Sequence, residues 1–259
     1  MQHRAKKRFG QNFLVDANVI DRIIASVAPA PEDHLIEIGP GMGALTQPLL
    51  KLSDRIDVIE LDRDVIPALN RLEGHEKLHI HNTDVLAFDF TRFRQSDFPQ
   101  DKLRIIGNLP YNISTAVLFH LIKHRGVISD LHFMLQKEVV ERIAADVGTR
   151  EYGRLSVMMQ LHFVISPLFL VPPRCFRPVP RVESAVVRLK PVRQPLLDPD
   201  EDEAFAALVK QAFSQRRKTL KNTLKGAYDA DRMQSAGIDP RKRPQELSLY
   251  DYISLFKTH

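Results

Sequence analysis

The sequence predicts an α/β fold, with helices on both faces of a doubly wound parallel sheet and a small helical region at the C-terminus. Short apolar runs of strand length alternate with segments whose apolar residues recur at helical spacing. A glycine-rich turn follows the first of these strands. The 259 residues are 44% hydrophobic, which is enough for the core of one α/β domain plus a small appendage.

The elements follow from these patterns in chain order. Residues 16–27 predict a helix, because apolar side chains lie on one face and Asp16 can cap its start. The predicted strands are 34–38, 56–59, 78–81, 103–106, 131–135 and 184–190. The other predicted helices of this region are 44–52, 65–72, 113–124 and 137–146. The stretch 155–171 is interrupted by polar residues and Pro167, so it predicts a core helix leading into a strand and not a membrane span.

A change in composition marks the expected domain boundary. Residues 191–203 are rich in Pro, Asp and Glu, and the chain after them is helical in pattern and basic. We therefore expect a first domain at 1–192 and a helical second domain at 193–259.

Positive charge is concentrated at both ends of the chain. Lys and Arg number 37 against 32 Asp and Glu, a net charge of +5. The segment from residue 204 to the end carries eleven Lys and Arg against five acids. At the other end, four basic residues precede the first acid: Arg4, Lys6, Lys7 and Arg8. This placement favours a polyanionic partner, although a solvated basic surface would have the same composition.

Cysteine content bounds the chemistry further. Cys175 is the only cysteine, so an intramolecular disulfide or a cysteine-cluster metal site is impossible. No metal is expected. The basic N-terminus lacks a following apolar region, which makes a secretory signal unlikely and a cytoplasmic location the expectation. No large self-complementary apolar face is evident, so a monomer is expected.

The tetrapeptide Asn108-Leu109-Pro110-Tyr111, directly after a predicted strand, is the most informative motif. The amide oxygen of Asn108 and the backbone carbonyl of Leu109 can accept the two N–H groups of an exocyclic amine. Pro110 stiffens the turn and adds no donor, and the ring of Tyr111 can stack on a base. The motif therefore indicates a grip on an aminopurine, provided that a methyl donor is held opposite.

A nucleotide-containing ligand is indicated at the same sheet edge. Gly39 and Gly41 let the backbone turn sharply out of the strand, and Glu60, after the next strand, can accept ribose hydroxyls. This spacing also fits a nicotinamide dinucleotide. Asp84, after the third strand, can accept an adenine amine, and the ring could lie between Leu61 and Val85. Together with residues 108–111, these positions favour S-adenosylmethionine.

Four motifs closely resemble the ribosomal RNA adenine N6-dimethyltransferases, in particular the bacterial small-subunit members whose loss gives kasugamycin resistance. The motifs are 11–14 (QNFL), 37–43 (EIGPGMG), 108–114 (NLPYNIS) and 176–182 (FRPVPRV). The resemblance extends over essentially the whole chain, including residues 212–220. It implies a Rossmann-like class I methyltransferase sheet, S-adenosylmethionine as cofactor, and dimethylation of two adjacent adenosines in the 3′-terminal hairpin of small-subunit ribosomal RNA, on an immature 30S particle late in its assembly.

The resemblance also implies roles for individual residues. The donor would contact Asn12, Leu14, Gly39, Glu60, Asp84 and Asn108. Because the target base must leave its stack, we also predict that it stacks on Tyr111 and Phe176, with a buried core aromatic as the alternative for each ring. From the placement of charge we predict that RNA binds Arg4, Lys6, Lys7 and Arg8 of the N-terminal arm and Arg216, Arg217, Lys218, Lys221 and Lys225 of the tail. Lys210, Arg217, Lys221 and Lys225 recur at helical spacing, and a solvated helix face is the alternative interpretation.

Three other functions are compatible with parts of this pattern. A DNA adenine-N6 methyltransferase uses a similar Asn-x-Pro-aromatic grip but would usually need a larger sequence-reading domain. A non-catalytic RNA-binding assembly factor could keep the pocket as a relic, although its acids and Asn108 are intact. A nicotinamide-dependent oxidoreductase leaves residues 108–111 without a role.

Overall fold

The computed structural model describes residues 12–98 and 101–258. The strands are β1 (Phe13–Leu14), β2 (His34–Ile38), β3 (Ile56–Ile59), β4 (Leu78–His81), β5 (Leu103–Asn108), β6 (Ile128–Gln136), β7 (Phe163–Val171), β8 (Phe176–Arg177) and β9 (Ser184–Pro191). The α-helices are α1 (Ala17–Val27), α2 (Thr46–Leu50), α3 (Ile66–Leu69), α4 (Phe90–Asp97), α5 (Ser114–Lys123), α6 (Lys137–Ile143), α7 (Arg154–His162), α8 (Asp202–Ala212), α9 (Leu220–Thr223), α10 (Ala230–Ser235) and α11 (Leu249–Lys257).

The main sheet confirms the predicted α/β class. Within the described residues it has seven strands in the order β4-β3-β2-β5-β6-β9-β7. The five strands from β4 to β6 pair in parallel, whereas β9 pairs antiparallel with β6. The expectation of a wholly parallel sheet is therefore wrong at β9. From β2 the chain order runs outward to β3 and β4 on one side and to β5 and β6 on the other. Open α/β sheets bind their ligands at such a switch point, at the carboxyl ends of the strands.

Local signals predicted the inner strands well. β2, β3 and β4 have the predicted bounds, and Asp16 caps α1 by accepting the N–H of Val19 at 3.1 Å. The turn before α2 takes up residues 40–45, so this helix is shorter than predicted. The predicted helix at 65–72 is a 3₁₀ turn followed by α3, and α4 was not predicted.

A second, two-stranded sheet joins distant parts of the chain. β1 pairs antiparallel with β8, which places Phe13 opposite Arg177 and Leu14 opposite Phe176. Short strands of two residues have no sequence pattern of their own, so this pairing was not predicted. It fixes the segment just before α1 against the segment just before β9.

A charged cluster lies near the amino ends of β5 and β6. Arg104 donates to both carboxylate oxygens of Asp130 at 3.1 Å, to the carboxylate of Asp33, and to the carbonyl of Val27 at 2.6 Å. The side chains of Arg104 and Asp130 are only 14% and 8% exposed. Burial alone would raise the pKa of Asp130, but its contacts with His132 and Arg104 lower that pKa to about 2.

The chain divides into two compact units. Of the described residues, the first unit contains those up to Val140 together with Ser166–Pro191, and the second contains Glu141–Ile165 and those from Val192 to 258. The core of the first unit is formed by buried aliphatic residues of α1, β2, β3 and α2, with Phe176 and Val186. The predicted division into domains at 192 and 193 stays a prediction, since the second unit also takes residues from before β9.

The second unit is largely helical, and several of its aromatic residues are buried, whereas Tyr250 is 69% exposed. Tyr152 and Tyr252 are fully buried, and the hydroxyl of Tyr252 donates to the carbonyl of Pro244 at 2.7 Å. α8 ends at Ala212, and a 3₁₀ turn and a bend precede α9. The basic residues predicted on one helix from 210 to 225 therefore do not share a continuous helix. No helix among residues 12–98 and 101–258 is long and apolar enough to cross a membrane.

Candidate active site

A cavity of about 710 Å³ opens at the carboxyl ends of β2, β3 and β5. Its size is typical of a site for a cofactor-sized molecule. Most residues predicted to bind a ligand line it: Asn12, Leu14, Gly39, Gly41, Glu60, Leu61, Asp84, Val85, Asn108, Leu109, Pro110 and Tyr111. Residues predicted from four separate strand ends and from the N-terminal arm therefore line a single cavity.

The turn after β2 requires glycine for two different reasons. Gly39 and Gly41 have φ values of +67° and +54°, a region that other residues rarely adopt. A Cβ on Gly39 would meet no atom within 4 Å, so its backbone is open to a ligand. A Cβ on Gly41 would lie 3.0 Å from the ring of Phe13, so the arm packs directly on the turn.

Glu60 lies at the end of β3 and is held by backbone donors. Its two carboxylate oxygens accept the N–H of Asp62 at 2.7 Å and the N–H of Gly41 at 3.3 Å. The residue is 6% exposed, and burial raises its pKa in spite of these hydrogen bonds. The carboxylate is thus oriented toward the glycine turn and has unused acceptor capacity for hydroxyl donors of a ligand.

Glu37 is a second buried carboxyl group in the cavity wall. It is 2% exposed, and the hydroxyl of Thr46 donates to it at 2.6 Å. Burial raises its pKa to about 7, and the neighbouring Glu60 adds to the rise. The sequence predicted no role for Glu37, although its position one residue before the end of β2 was a signal that could have found it.

Asp84 and its neighbours form another wall. The carboxylate of Asp84 is exposed and caps the following 3₁₀ turn by accepting the N–H of Leu86 at 2.9 Å. Val85 is 5% exposed, whereas Leu61 is 51% exposed. One polar acceptor therefore stands between two apolar side chains, an arrangement that suits the edge and the faces of a purine.

The side chain of Asn108 is oriented by the N-terminal arm. Its amide nitrogen donates to the backbone carbonyl of Asn12 at 2.9 Å, across 96 residues of chain. With the NH₂ group engaged in this way, the amide oxygen is the group left to accept from a ligand. Asn12 was predicted to contact the methyl donor, and this hydrogen bond shows that it also orients Asn108.

The rest of the 108–111 motif is held just as firmly. The N–H of Leu109 donates to the carbonyl of Met134 at 3.2 Å, and Leu109 is buried. The hydroxyl of Tyr111 is 2.7 Å from that of the fully buried Ser184, and burial raises the pKa of Tyr111. The ring of Tyr111 therefore borders the cavity in a fixed orientation.

Phe176 is placed differently from its prediction. Its side chain is fully buried in the core cluster with Leu14, Val171 and Val186, and it does not line the cavity. This buried position disagrees with the stacking role predicted for Phe176. β8 pairs with β1, so Phe176 lies opposite Leu14 within the core cluster. Of the two predicted aromatic residues, only Tyr111 borders the cavity.

Only some of the residues predicted to bind RNA lie within the part of the chain that the structure describes. Arg4, Lys6, Lys7 and Arg8 lie outside the described residues. Arg217, Lys218, Lys221 and Lys225 are exposed on the second unit. Arg216 is exposed too, but its guanidinium donates to the carbonyls of Thr149 and Arg150, so it also holds a neighbouring loop.

The cavity fits the cofactor inferred from the sequence. Gly39 offers an open backbone, Glu60 offers a buried carboxylate, and Asp84 offers an exposed acceptor between apolar walls. These groups suit the methionine, ribose and adenine parts of S-adenosylmethionine, respectively. Among the described residues, no group of three or more His, Cys, Asp or Glu side chains is arranged to hold a metal ion.

Comparisons with known proteins agree with this assignment. The ribosomal RNA adenine dimethylase family profile matches residues 2–259. The ribosomal RNA small subunit methyltransferase A of Alcanivorax borkumensis is 51% identical over 254 residues, which is 98% of this chain and 90% of that protein. The enzyme of the same name from Laribacter hongkongensis is 49% identical over 258 residues, covering 100% and 97%. A crystal structure of a dimethyladenosine transferase from Plasmodium falciparum superposes with a TM-score of 0.79 and 26% identity, covering 94% of this chain and 95% of that one.

The mixed sheet, the glycine turn and the cavity at the strand ends define a class I methyltransferase that depends on S-adenosylmethionine. With a match over nearly the full length, the chain belongs to the ribosomal RNA adenine dimethylase family.

Proposed function

We propose that this protein transfers methyl groups from S-adenosylmethionine to N6 of two adjacent adenosines in the 3′-terminal hairpin of small-subunit ribosomal RNA. It acts as a monomer in the cytoplasm, on the immature 30S particle, late in assembly. The observation that carries the proposal is the fixed amide of Asn108, a residue that lines the same cavity as Glu60 and the open glycine turn.

Cofactor binding is assigned to residues of the cavity wall. Glu60 accepts the ribose hydroxyls, and Asp84 accepts the adenine amine, with Leu61 and Val85 on the faces of the ring. Gly39, Gly41 and the arm residues Asn12 and Leu14 surround the methionine part. When bound, the cofactor supplies an electrophilic methyl group on a sulfonium sulfur.

Asn108 and Leu109 hold the target amine. The lone pair of an adenine amine is delocalised into the ring, so the nitrogen is a poor nucleophile. The amide oxygen of Asn108 and the carbonyl of Leu109 accept its two N–H bonds and stabilise positive charge that develops on the nitrogen. This is the arrangement of an oxyanion hole with the sign reversed, and it is effective because the acceptors are already oriented.

Pro110 and Tyr111 complete the base site. Pro110 has no N–H, so it cannot compete for the acceptors. The ring of Tyr111, fixed by its bond to Ser184, stacks on the flipped base. No residue needs to act as a base before transfer, because the methylated amine is acidic enough to lose its proton to water.

RNA binding is assigned to the basic surface of the second unit, with Arg217, Lys218, Lys221 and Lys225 as phosphate contacts. Its test is the salt dependence of particle affinity. Replacing Arg217 and Lys218 by Ser is expected to lower the slope of log affinity against log salt by about 2, one for each lost contact. Replacing the exposed Arg71 and Lys102 of the first unit is the matched control, and an unchanged slope in both variants would contradict the assignment.

The activity itself is tested with labelled S-adenosylmethionine and three acceptors. Undermethylated small subunits are expected to accept label as N6,N6-dimethyladenosine, and naked RNA or duplex DNA to accept less. Label in duplex DNA alone would indicate a DNA methyltransferase. Binding to particles without any transfer would indicate a non-catalytic assembly factor.

A further inference from the structure

Residues 178–182, here called the wedge loop, combine exposed apolar and basic side chains beside the active site. Val179 and Val182 are 57% and 42% exposed. Arg181 is exposed within the loop, and Arg177 is exposed directly before it. The Arg177 guanidinium donates to the backbone carbonyls of Arg174 at 3.1 Å and Phe176 at 2.8 Å. Among the described residues neither arginine forms an ion pair with a carboxylate, so their net charge favours an anionic partner.

Both ends of the wedge loop are fixed to residues of the cavity. On its N-terminal side, Arg177 pairs with Phe13, which lines the cavity. On its C-terminal side, Ser184 holds the hydroxyl of Tyr111 at 2.7 Å. The carbonyl of Glu183 also accepts the N–H of Lys137 at 2.9 Å, and the carboxylate of Glu183 is paired with the Lys137 ammonium. The loop is therefore held at a constant position next to the base site.

The loop is also stiff. Pro178 and Pro180 have restricted φ, so presenting Val179 and Val182 to a partner costs little conformational entropy. The two aliphatic side chains on this rigid loop are complementary to the apolar faces of stacked bases. The cations beside them are complementary to the phosphates that flank such a stack. An uncharged apolar protein surface would match the aliphatic groups but would leave the positive charge of the two arginines without a counterion.

Base flipping creates a need for such an element. A base that leaves its stack exposes the faces of its neighbours, and unstacking costs a few kcal/mol per step. Apolar side chains inserted between bases are a common way to offset that cost. We propose that the wedge loop inserts Val179 and Val182 into the RNA at the position that the target adenosine leaves, with Arg177 and Arg181 on the flanking phosphates. This inference rests on the proposed function.

The test is the double variant Val179→Ala/Val182→Ala on undermethylated small subunits. We expect its single-turnover rate at saturating particle concentration to fall about 10- to 100-fold, since part of the unstacking cost is no longer offset. Affinity for the cofactor should stay within about twofold, because Val179 and Val182 do not line the cavity. Affinity for the particle should also stay within about twofold, because the phosphate contacts that supply most of the binding are kept. The variant Val179→Leu/Val182→Leu keeps apolar side chains and should retain the rate of the original protein.

A second measurement reports on the base itself. With 2-aminopurine in place of the target adenosine, fluorescence should rise when the original protein binds and should not rise with the Ala double variant. Val164→Ala is the matched control, because Val164 is 59% exposed and lies in β7.

The outcomes separate this inference from the proposed function. If the original protein methylates the particle and the Ala double variant does so at the same rate, the wedge is wrong. If the variant loses particle affinity but keeps its saturated rate, the loop is a docking surface and the wedge is likewise wrong. If the original protein transfers no methyl group to the particle, the proposed function fails and the wedge fails with it.

Discussion

The two ends of the central strands carry charged and polar groups in opposite states. At the amino ends of β5 and β6, Arg104 is saturated by two carboxylates and a backbone carbonyl, and the pKa of Asp130 is lowered to about 2. At the carboxyl ends of β2 and β3, Glu37 and Glu60 have only neutral donors, and burial raises the pKa of both.

This difference separates charged groups whose partners lie within the protein from buried carboxyl groups that have no partner of opposite charge there. Buried charges normally have a partner of opposite charge, because an unpaired one is costly. The ion cluster at the amino ends follows that rule within the protein. The carboxyl ends break it, and in the proposed function the missing partners are the donors of a bound ligand. A carboxyl group that is destabilised in the free protein is therefore a sign of function here.

The largest expected effect is at the carboxyl end of β5. Asn108→Ala should lower the single-turnover methylation rate by about 10²–10³, the cost of removing one oriented group that stabilises developing charge. The rate is measured with saturating cofactor and undermethylated particles. Because Asn108 also binds the carbonyl of Asn12, cofactor affinity is measured in parallel by calorimetry.

Two further variants make this result specific. Asn108→Asp keeps oxygen acceptors but loses the donor to Asn12, so it reports on the contribution of the arm. Asn70→Ala is the control, since Asn70 is exposed at the end of α3. A near-normal rate for Asn108→Ala would show that the carboxyl end of β5 is not the site of chemistry.

At the opposite end, Arg104→Met should act on stability and not on the reaction. It leaves Asp33 and Asp130 without their cation, and breaking such a pair costs about 3 kcal/mol of the free energy of unfolding. The pKa of Asp130 is lowered by folding, so its contribution is present above about pH 4 and is lost as the pH falls toward 2.

The measurement is urea denaturation between pH 7 and pH 3. The original protein should lose stability on acidification, and Arg104→Met should lose less because the favourable pair is already absent. Arg241→Met removes an exposed ion pair with Asp239 and should produce no measurable change. If Arg104→Met were as stable as the original protein but inactive, the assignment of the two ends would be reversed.

The same comparison explains which parts of the site the sequence could predict. Gly39, Glu60, Asp84 and Asn108 each follow a short apolar strand, and parallel strands bring such positions to one edge. That information lies within a few residues of each position. The fold class, the cofactor class and these four cavity residues were therefore predictable from local patterns, whereas Asn12 and Leu14 came only from the resemblance to a known family.

Long-range pairing carried the rest, and no local pattern shows it. The bond from Asn108 to Asn12 and the ion cluster of Arg104 depend on the register of distant segments. The burial of Phe176 depends on its pairing with Leu14, and the antiparallel β9 depends on the return of the chain past β7. In each case the residue types were visible, but the partner was not.

Glu37 gives a prediction of the opposite sign to that for Asp130. Folding raises its pKa from 4.5 to about 7, so its contribution is fully present below pH 4.5 and is lost as the pH rises through 7. The loss amounts to about 3 kcal/mol at most. Glu37→Gln keeps an oxygen for the Thr46 hydroxyl and should remove this part of the pH dependence.

Urea denaturation between pH 5 and pH 8 measures the effect, without cofactor. The stability advantage of Glu37→Gln over the original protein should grow as the pH rises. Glu32→Gln, at an exposed position, should follow the original protein at every pH. Equal pH slopes for Glu37→Gln and the original protein would show that Glu37 is not destabilised by its burial.

A variant of Glu60 tests whether the carboxyl ends of β2 and β3 bind a ligand. Glu60→Gln should weaken cofactor binding about tenfold, or about 1.4 kcal/mol, because charge-assisted hydrogen bonds to the ribose hydroxyls become neutral ones. Calorimetric titration with S-adenosylhomocysteine, which has no reactive methyl group, measures the affinity without turnover, and Glu32→Gln is the control. One oxygen of Glu60 accepts from Asp62 and the other from Gly41, so the amide also places an NH₂ group against a backbone donor. If affinity were unchanged while stability fell, Glu60 would serve the glycine turn alone, and the contrast between the two strand ends would be one of packing and not of function.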